Sequence, residues 1–206
     1  MGLGYSYLLF FKREKVWDAL RDIARVSVHH QPPTKIILPD QQLSIPLENW
    51  DSKNNEMHYN DRKLVFRTVM YFPAEDEVIL EYNRDWGTER PDRSPPDDEK
   101  ENQIAIGNIN LYVYLNDAKF SSQAHVLFDF NAVTTDMSYL FRDSPSIQKR
   151  FVELLERNNG VSGILDREME GGLLFWFRGN VYDVDIYTYL NPDEIESFLR
   201  SNNQQV

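Results

Sequence analysis

Four side chains in the second half of the chain, His125, Asp129, Asp183 and Asp185, are of the types that ligate a divalent metal. Imidazole and carboxylates suit zinc, manganese or iron. Asp183 and Asp185 stand two apart, so on a strand both would point to one side, and His125 and Asp129 share a parity in the same way. Their spacing matches no named metal motif, however. Asp-x-Asp on an edge strand also serves to discourage sheet-to-sheet aggregation. No metal or other cofactor is therefore expected.

A wider set is better suited to binding. Tyr112, Tyr114, His125, Asp129, Asn131, Trp176, Arg178, Asp183 and Asp185 combine carboxylates, an imidazole, an amide, a guanidinium and aromatic rings. Tyrosine and tryptophan offer rigid contact area plus one hydrogen bond each. Such a mixture can hold a polar ligand or grip a loop of another protein. The bland alternative is an ordinary solvated sheet face.

Other chemistry finds little support. Cysteine is absent, which excludes disulfides, thiolate metal sites and cysteine nucleophiles. No serine stands in G-x-S-x-G. Gly2 and Gly4 precede a strand instead of joining a strand to a helix, so they do not form a phosphate loop. Asp166, Glu168 and Glu170 before Gly171-Gly172 lack the spacing of a calcium loop and read as a solvated turn. His29-His30 falls where a first helix ends and complements its dipole.

The elements that must position these residues are written in the periodicity. From Ile109 to Leu115 the odd positions read Ile, Leu, Val, Leu, while Asn108, Asn110, Tyr112 and Tyr114 occupy the even ones. A period of two with one apolar side predicts a half-buried antiparallel strand whose other side is open. Residues 123–133 alternate likewise, with His125, Asp129 and Asn131 on the side away from Val126, Phe128 and Phe130. Tyr5 to Phe11 is apolar on both sides, as a central strand would be. Further strands are predicted at 35–38, 63–72, 77–83, 173–177 and 181–189, those at 63–72 and 77–83 as a hairpin, with 43–61 as an ordered loop or edge segment.

Helices are predicted from Lys12 to about Val28, where Val16, Ala19, Leu20, Ile23 and Ala24 share one stripe, and from about Asp136 onward with a restart at Ser144-Pro145. A last one follows Asn191-Pro192, with Ile195, Phe198 and Leu199 inward. The sum is an α+β fold: a large, mostly antiparallel sheet with two to three helices packed on one face. Residues 1–206 read as a single domain. Its two halves, 1–83 and 102–206, resemble each other only in that a helix follows an aromatic-rich strand in each, and they are joined by the acidic, proline-rich stretch 84–101.

Charge narrows the partners. Thirty-three acidic against twenty-two basic residues leave a net charge of −11, which argues against nucleic acid and fits a basic protein partner. No apolar stretch approaches the roughly 20 residues a membrane helix needs, and no membrane association is expected. Met1-Gly2-Leu3-Gly4-Tyr5-Ser6 matches the myristoylation pattern, but no polybasic second signal follows it. The expectation is a cytoplasmic interaction or accessory module that uses an open aromatic and acidic sheet face, with homo-oligomers compatible. The alternatives are a small-ligand-binding or metal-dependent enzyme, which ranks last, and a structural subunit of a larger assembly.

Overall fold

The alternating segments around residues 108 and 129 form neighbouring strands near the middle of an eight-stranded antiparallel sheet. The computed structural model describes residues 3–50, 55–86, 102–187 and 191–202. Along the chain it runs β1 (Ser6–Lys12), α1 (Val16–Arg25), β2 (Thr34–Ile37), β3 (Gln42–Ile45), β4 (Glu48–Asn49), β5 (Glu56–His58), β6 (Leu64–Pro73) and α2 (Glu77–Trp86). Then come β7 (Gln103–Tyr114), β8 (His125–Ala132), α3 (Thr135–Asp143), α4 (Pro145–Arg157), β9 (Ser162–Asp166), β10 (Gly172–Phe177), β11 (Asn180–Ile186) and α5 (Pro192–Ser201). The large sheet has the order β11-β10-β9-β1-β8-β7-β6-β4, and β3-β2-β5 make a small second sheet. The class is α+β, as the alternation of periods implies.

β1 is apolar on both sides because both sides are covered. Tyr7, Leu9 and Phe11 join the core beneath α1 to α4, while Leu8 and Phe10 belong to a second core on the opposite face. Aromatic rings dominate the first core. Tyr7 stacks on Phe151 at 4.2 Å between centroids, meets Phe175 edge-on at 5.4 Å, and donates its hydroxyl to the Phe141 carbonyl at 2.9 Å. Burial pushes that hydroxyl far above the usual tyrosine range.

The second core corrects the expectation that the helices pack on one face. α5 lies on the other side, with Ile195 and Leu199 fully buried against the face that carries Leu8, Phe10, Leu127, Ile164 and Leu174. Its start is well specified. The Asn191 side chain accepts from the N–H groups of Asp193 and Glu194, and the Glu194 carboxylate reaches back to the Asn191 N–H at 2.8 Å. Asn191→Ala is expected to cost about 1 kcal/mol. Thermal unfolding should show the loss, and hydrogen exchange should show it concentrated in α5.

One further expectation is overturned. Residues 77–86 form α2, not the second strand of a hairpin. Val78-Ile79-Leu80 looks strand-like in isolation, but Ile79 and Tyr82 are buried one turn apart, and Asp76 caps the helix by accepting from the N–H groups of Val78 and Ile79. Residues 43–61 contribute three short strands, and β2 pairs with β5 in parallel, bringing Ile36 and Met57 into the first core. The predicted loop 84–101 lies outside the described residues from 87 onward. Among the described residues no helix is long and apolar enough to cross a membrane.

A bulge explains where the alternation of β7 begins. The pairing with β6 shifts register between Val69 and Tyr71, opposite a stretch containing Gly107, whose φ of 95° favours glycine. Ile106 and Ile109 therefore both enter the first core despite opposite parity, and from Asn108 onward the even residues face away from the four helices.

Candidate binding face on the open sheet

Register pairs read across the large sheet place polar residues in a line. Glu48 faces Arg67, Arg67 faces Asn110, Asn110 faces Asn131, Asn131 faces Ser6, and Ser6 faces Asp166. With strands about 4.8 Å apart this line spans roughly 24 Å. One step along the strands toward α5, a mixed line reads Val65, Tyr112, Asp129, Leu8, Ile164. One step further, Tyr114, Leu127 and Phe10 lead into the core under α5. The face thus grades from polar to apolar, and α5 covers the apolar part.

Local contacts hold the polar part in shape. Asn131 Nδ2 donates to Asp129 Oδ1 at 2.5 Å. The Arg67 guanidinium lies 3.5 Å from the centre of the Trp50 ring, with Glu48 Oε2 3.8 Å from its Nη1. Lys63 Nζ stands 4.7 Å over the Tyr112 ring, and Tyr112 and Tyr114 are 6.4 Å apart between centroids. Trp50 is 47% exposed. Two polar atoms in this region, Arg67 Nε and Asn110 Oδ1, are buried without a hydrogen-bond partner. Each such group carries a desolvation cost that a ligand atom could relieve.

The carboxylates are the electrostatic centre. Burial pushes Asp129 up to about 6; hydrogen bonds with Asn131 and Ser6 oppose this, and the charge of Asp166 adds to it. Asp166 is raised too, first by burial, with the Glu168 carboxylate contributing. Among the described residues neither Asp129 nor Asp166 makes an ion pair. Burial also lifts the Tyr114 hydroxyl to about 12, and Asp129 adds to the shift.

Of the residues the sequence singled out, this face unites Tyr112, Tyr114, Asp129 and Asn131. His125 shares the β8 side of Asp129 but sits at the far end of the strand, where Asp193, Arg178 and Lys12 act on it. A register shift in β10 between Leu174 and Trp176 takes Trp176 into the first core, 4% exposed. Arg178 occupies the turn between β10 and β11 and pairs with Glu196 of α5 at 2.7 Å.

Asp183 and Asp185 lie on the opposite side of β11. Tyr182, Val184 and Ile186 are the residues of that strand packed into the core under α5, so the intervening aspartates point away from it. Asp185 pairs with Arg167 at 2.6 Å. The quartet of His125, Asp129, Asp183 and Asp185 is therefore dispersed. Among the described residues no three His, Asp or Glu side chains converge to hold a metal ion.

Ser6, Arg67 and Trp50 belong to the face and were not picked out from sequence, and Asp166, which also belongs to it, was read as part of a solvated turn. The signal for Ser6 is its parity with Leu8 and Phe10 at the end of an apolar run. For Asp166 it is parity with Ile164, obscured by the acidic turn that follows. Comparison with protein-family models, with curated proteins and with solved structures returned no match.

Proposed function

We propose that this chain is a protein-binding module whose helix-free half of the sheet receives a basic segment of a partner protein. The observation that carries the reading is the pair Asp129 and Asp166. Both are partly buried, both have raised pKa values, and neither is ion-paired among the described residues, on a face framed by Trp50, Tyr112 and Tyr114. A lysine or arginine placed there would return each carboxylate toward its ordinary acidity, while the rings supply contact area. The net charge of −11 would draw such a partner in.

The test is a titration of isotopically labelled protein with a short lysine- and arginine-rich peptide, read by backbone amide shifts. Saturable shifts are expected along β6, β7 and β8, with Tyr112→Ala weakening binding about tenfold, the order of a loss at an aromatic anchor. Association should slow as salt rises, because the encounter is steered by charge. Shifts scattered evenly over the acidic surface, unaffected by Tyr112→Ala, would remove this face from consideration.

One observation favours a second reading. A carboxyl group that titrates near pH 6 on an accessible face is also what a general acid needs. If a small polar compound, and no peptide, shifts the amides around Asp129, the ligand-handling use of the same face takes precedence.

A further inference from the structure

A recess lies at the opposite end of the strands, independent of the open face. It is a cleft of about 600 Å³ beneath the ends of β1, β8 and β9, closed on one side by the last turn of α4 and on the other by the turn between β10 and β11. Lys12, His125, Trp176 and Arg178 line it, with Glu156 and Asn159 at the α4 side. In a chain of net charge −11, a recess with two cations, an imidazole and one carboxylate stands out from its surroundings.

Three of the donors lining this cleft have no acceptor among the described residues. Among the described residues neither Lys12 nor the His125 ring has a hydrogen-bond or ion-pair partner. Trp176 is 4% exposed, and its indole N–H is buried without an acceptor. An orphaned buried donor is costly and uncommon. Three of the last carbonyl groups of α4 accept backbone hydrogen bonds: Leu155 from Gly160 at 2.7 Å, Leu154 from Asn158 at 3.3 Å, and Glu156 from Asn159 at 3.4 Å. Arg178 is tied to Glu196 and so frames the recess from the α5 side.

We propose that this cleft binds a small oxyanion, the carboxylate or phosphate group of a low-molecular-weight ligand, held by Lys12 and His125 with Arg178 at its rim. The charged groups around His125 support the assignment. It is partly buried, which favours its neutral form, and Lys12 of β1 and Arg178 of the turn reinforce that, opposed by Asp193 of α5. Glu156 of α4 stands across the same cleft. An anion seated among these groups would reverse the balance and favour the imidazolium.

The experiment is a titration of isotopically labelled protein with inorganic phosphate, with acetate, and with chloride at matched ionic strength. The readouts are the His125 ring resonances and the Trp176 indole N–H, the latter assigned by its loss in Trp176→Phe. A saturable shift with phosphate or acetate but not chloride is expected, and the His125 titration midpoint should rise by about one pH unit. Phosphate acting alone identifies a phosphate ester as the ligand class, and acetate acting alone an organic acid. Lys12→Ala and His125→Gln should each weaken the effect at least fivefold, with unfolding temperatures confirming that both variants remain folded. Equal shifts in all three salts, or undiminished binding in both variants, would overturn the proposal.

Discussion

Replacing Asp76 with alanine is expected to destabilise the protein by about 3 kcal/mol, more than a single cap usually contributes. Its carboxylate is 7% exposed and serves two helices at once. Oδ1 accepts from the N–H groups of Val78 and Ile79 at the start of α2, at 3.0 and 3.2 Å. Oδ2 accepts from the Ser144 hydroxyl at 2.8 Å and the Ser146 N–H at 3.0 Å, at the start of α4. Ser144 is itself the α4 cap, accepting from the Ile147 N–H. One negative charge therefore answers the positive ends of two helix dipoles.

The pH dependence follows from the same geometry. Burial alone would raise the Asp76 pKa, but the hydrogen bonds from Ser144, Ser146 and Ile79 outweigh it and hold the group below its usual value. Its stabilising contribution is thus complete above the unfolded value of about 3.9 and disappears as pH falls through the lower folded value. Urea unfolding of Asp76→Ala should show a lower midpoint with an unchanged slope. Asp76→Asn, which keeps one acceptor oxygen, should lose about half as much. A loss below about 1 kcal/mol for the alanine variant would mean that water replaces the carboxylate at both helix starts.

Asp129→Asn is expected to act in the opposite direction, stabilising the isolated protein by about 2 kcal/mol at pH 7. The wild-type carboxyl titrates near 6 when folded and near 3.9 when unfolded. Between those values the folded protein keeps the proton that the unfolded chain has released. Stability therefore falls as pH rises from about 4 to about 6 and stays lower above that. Asparagine removes this decline while its side-chain oxygen can still accept from Asn131. The full linkage for a shift of this size would be nearer 3 kcal/mol, reduced because the group is only partly buried.

The same variant should bind a basic peptide at least tenfold more weakly, because it lacks the charge that attracts the cation. A gain in stability joined to a loss in affinity is the signature of a group retained for binding. Wild type and variant should be equally stable near pH 4 and diverge above it. If Asp129→Asn is no more stable than wild type at pH 7, the carboxylate is not held in an unfavourable setting, and the binding argument loses its base.

What the sequence disclosed followed from how local each signal was. β7 and β8 alternate along one stretch of chain, so their faces and four of the site residues, Tyr112, Tyr114, Asp129 and Asn131, could be read directly. Ser144-Pro145 and Asn191-Pro192 announce α4 and α5 because a cap and the first turn it serves are adjacent. α2 was misread because Val78-Ile79-Leu80 is an apolar, strand-like run, and it outweighed the adjacent Asp76 cap. Trp176 was misplaced by a register shift that no alternation rule anticipates. Asp183 and Asp185 went to the wrong side because α5 makes the Tyr182–Val184–Ile186 side of β11 the inward one. Ser6 and Asp166 gain meaning only once β1 is known to lie between β8 and β9.

That placement of β1 bears on how the protein is made. The strand synthesised before every other one described ends in the centre of the sheet, flanked by strands from the distant second half, with Ser6 facing Asn131 on one side and Asp166 on the other. While a ribosome is still extending the chain, Tyr7, Leu9 and Phe11 have neither a pairing partner nor the aromatic wall of α4 to rest against. Contacts this distant in sequence make for slow closure. A nascent chain stalled before β9 emerges would therefore present its greasiest strand with at least one open edge, a substrate for holding chaperones and a seed for aggregation.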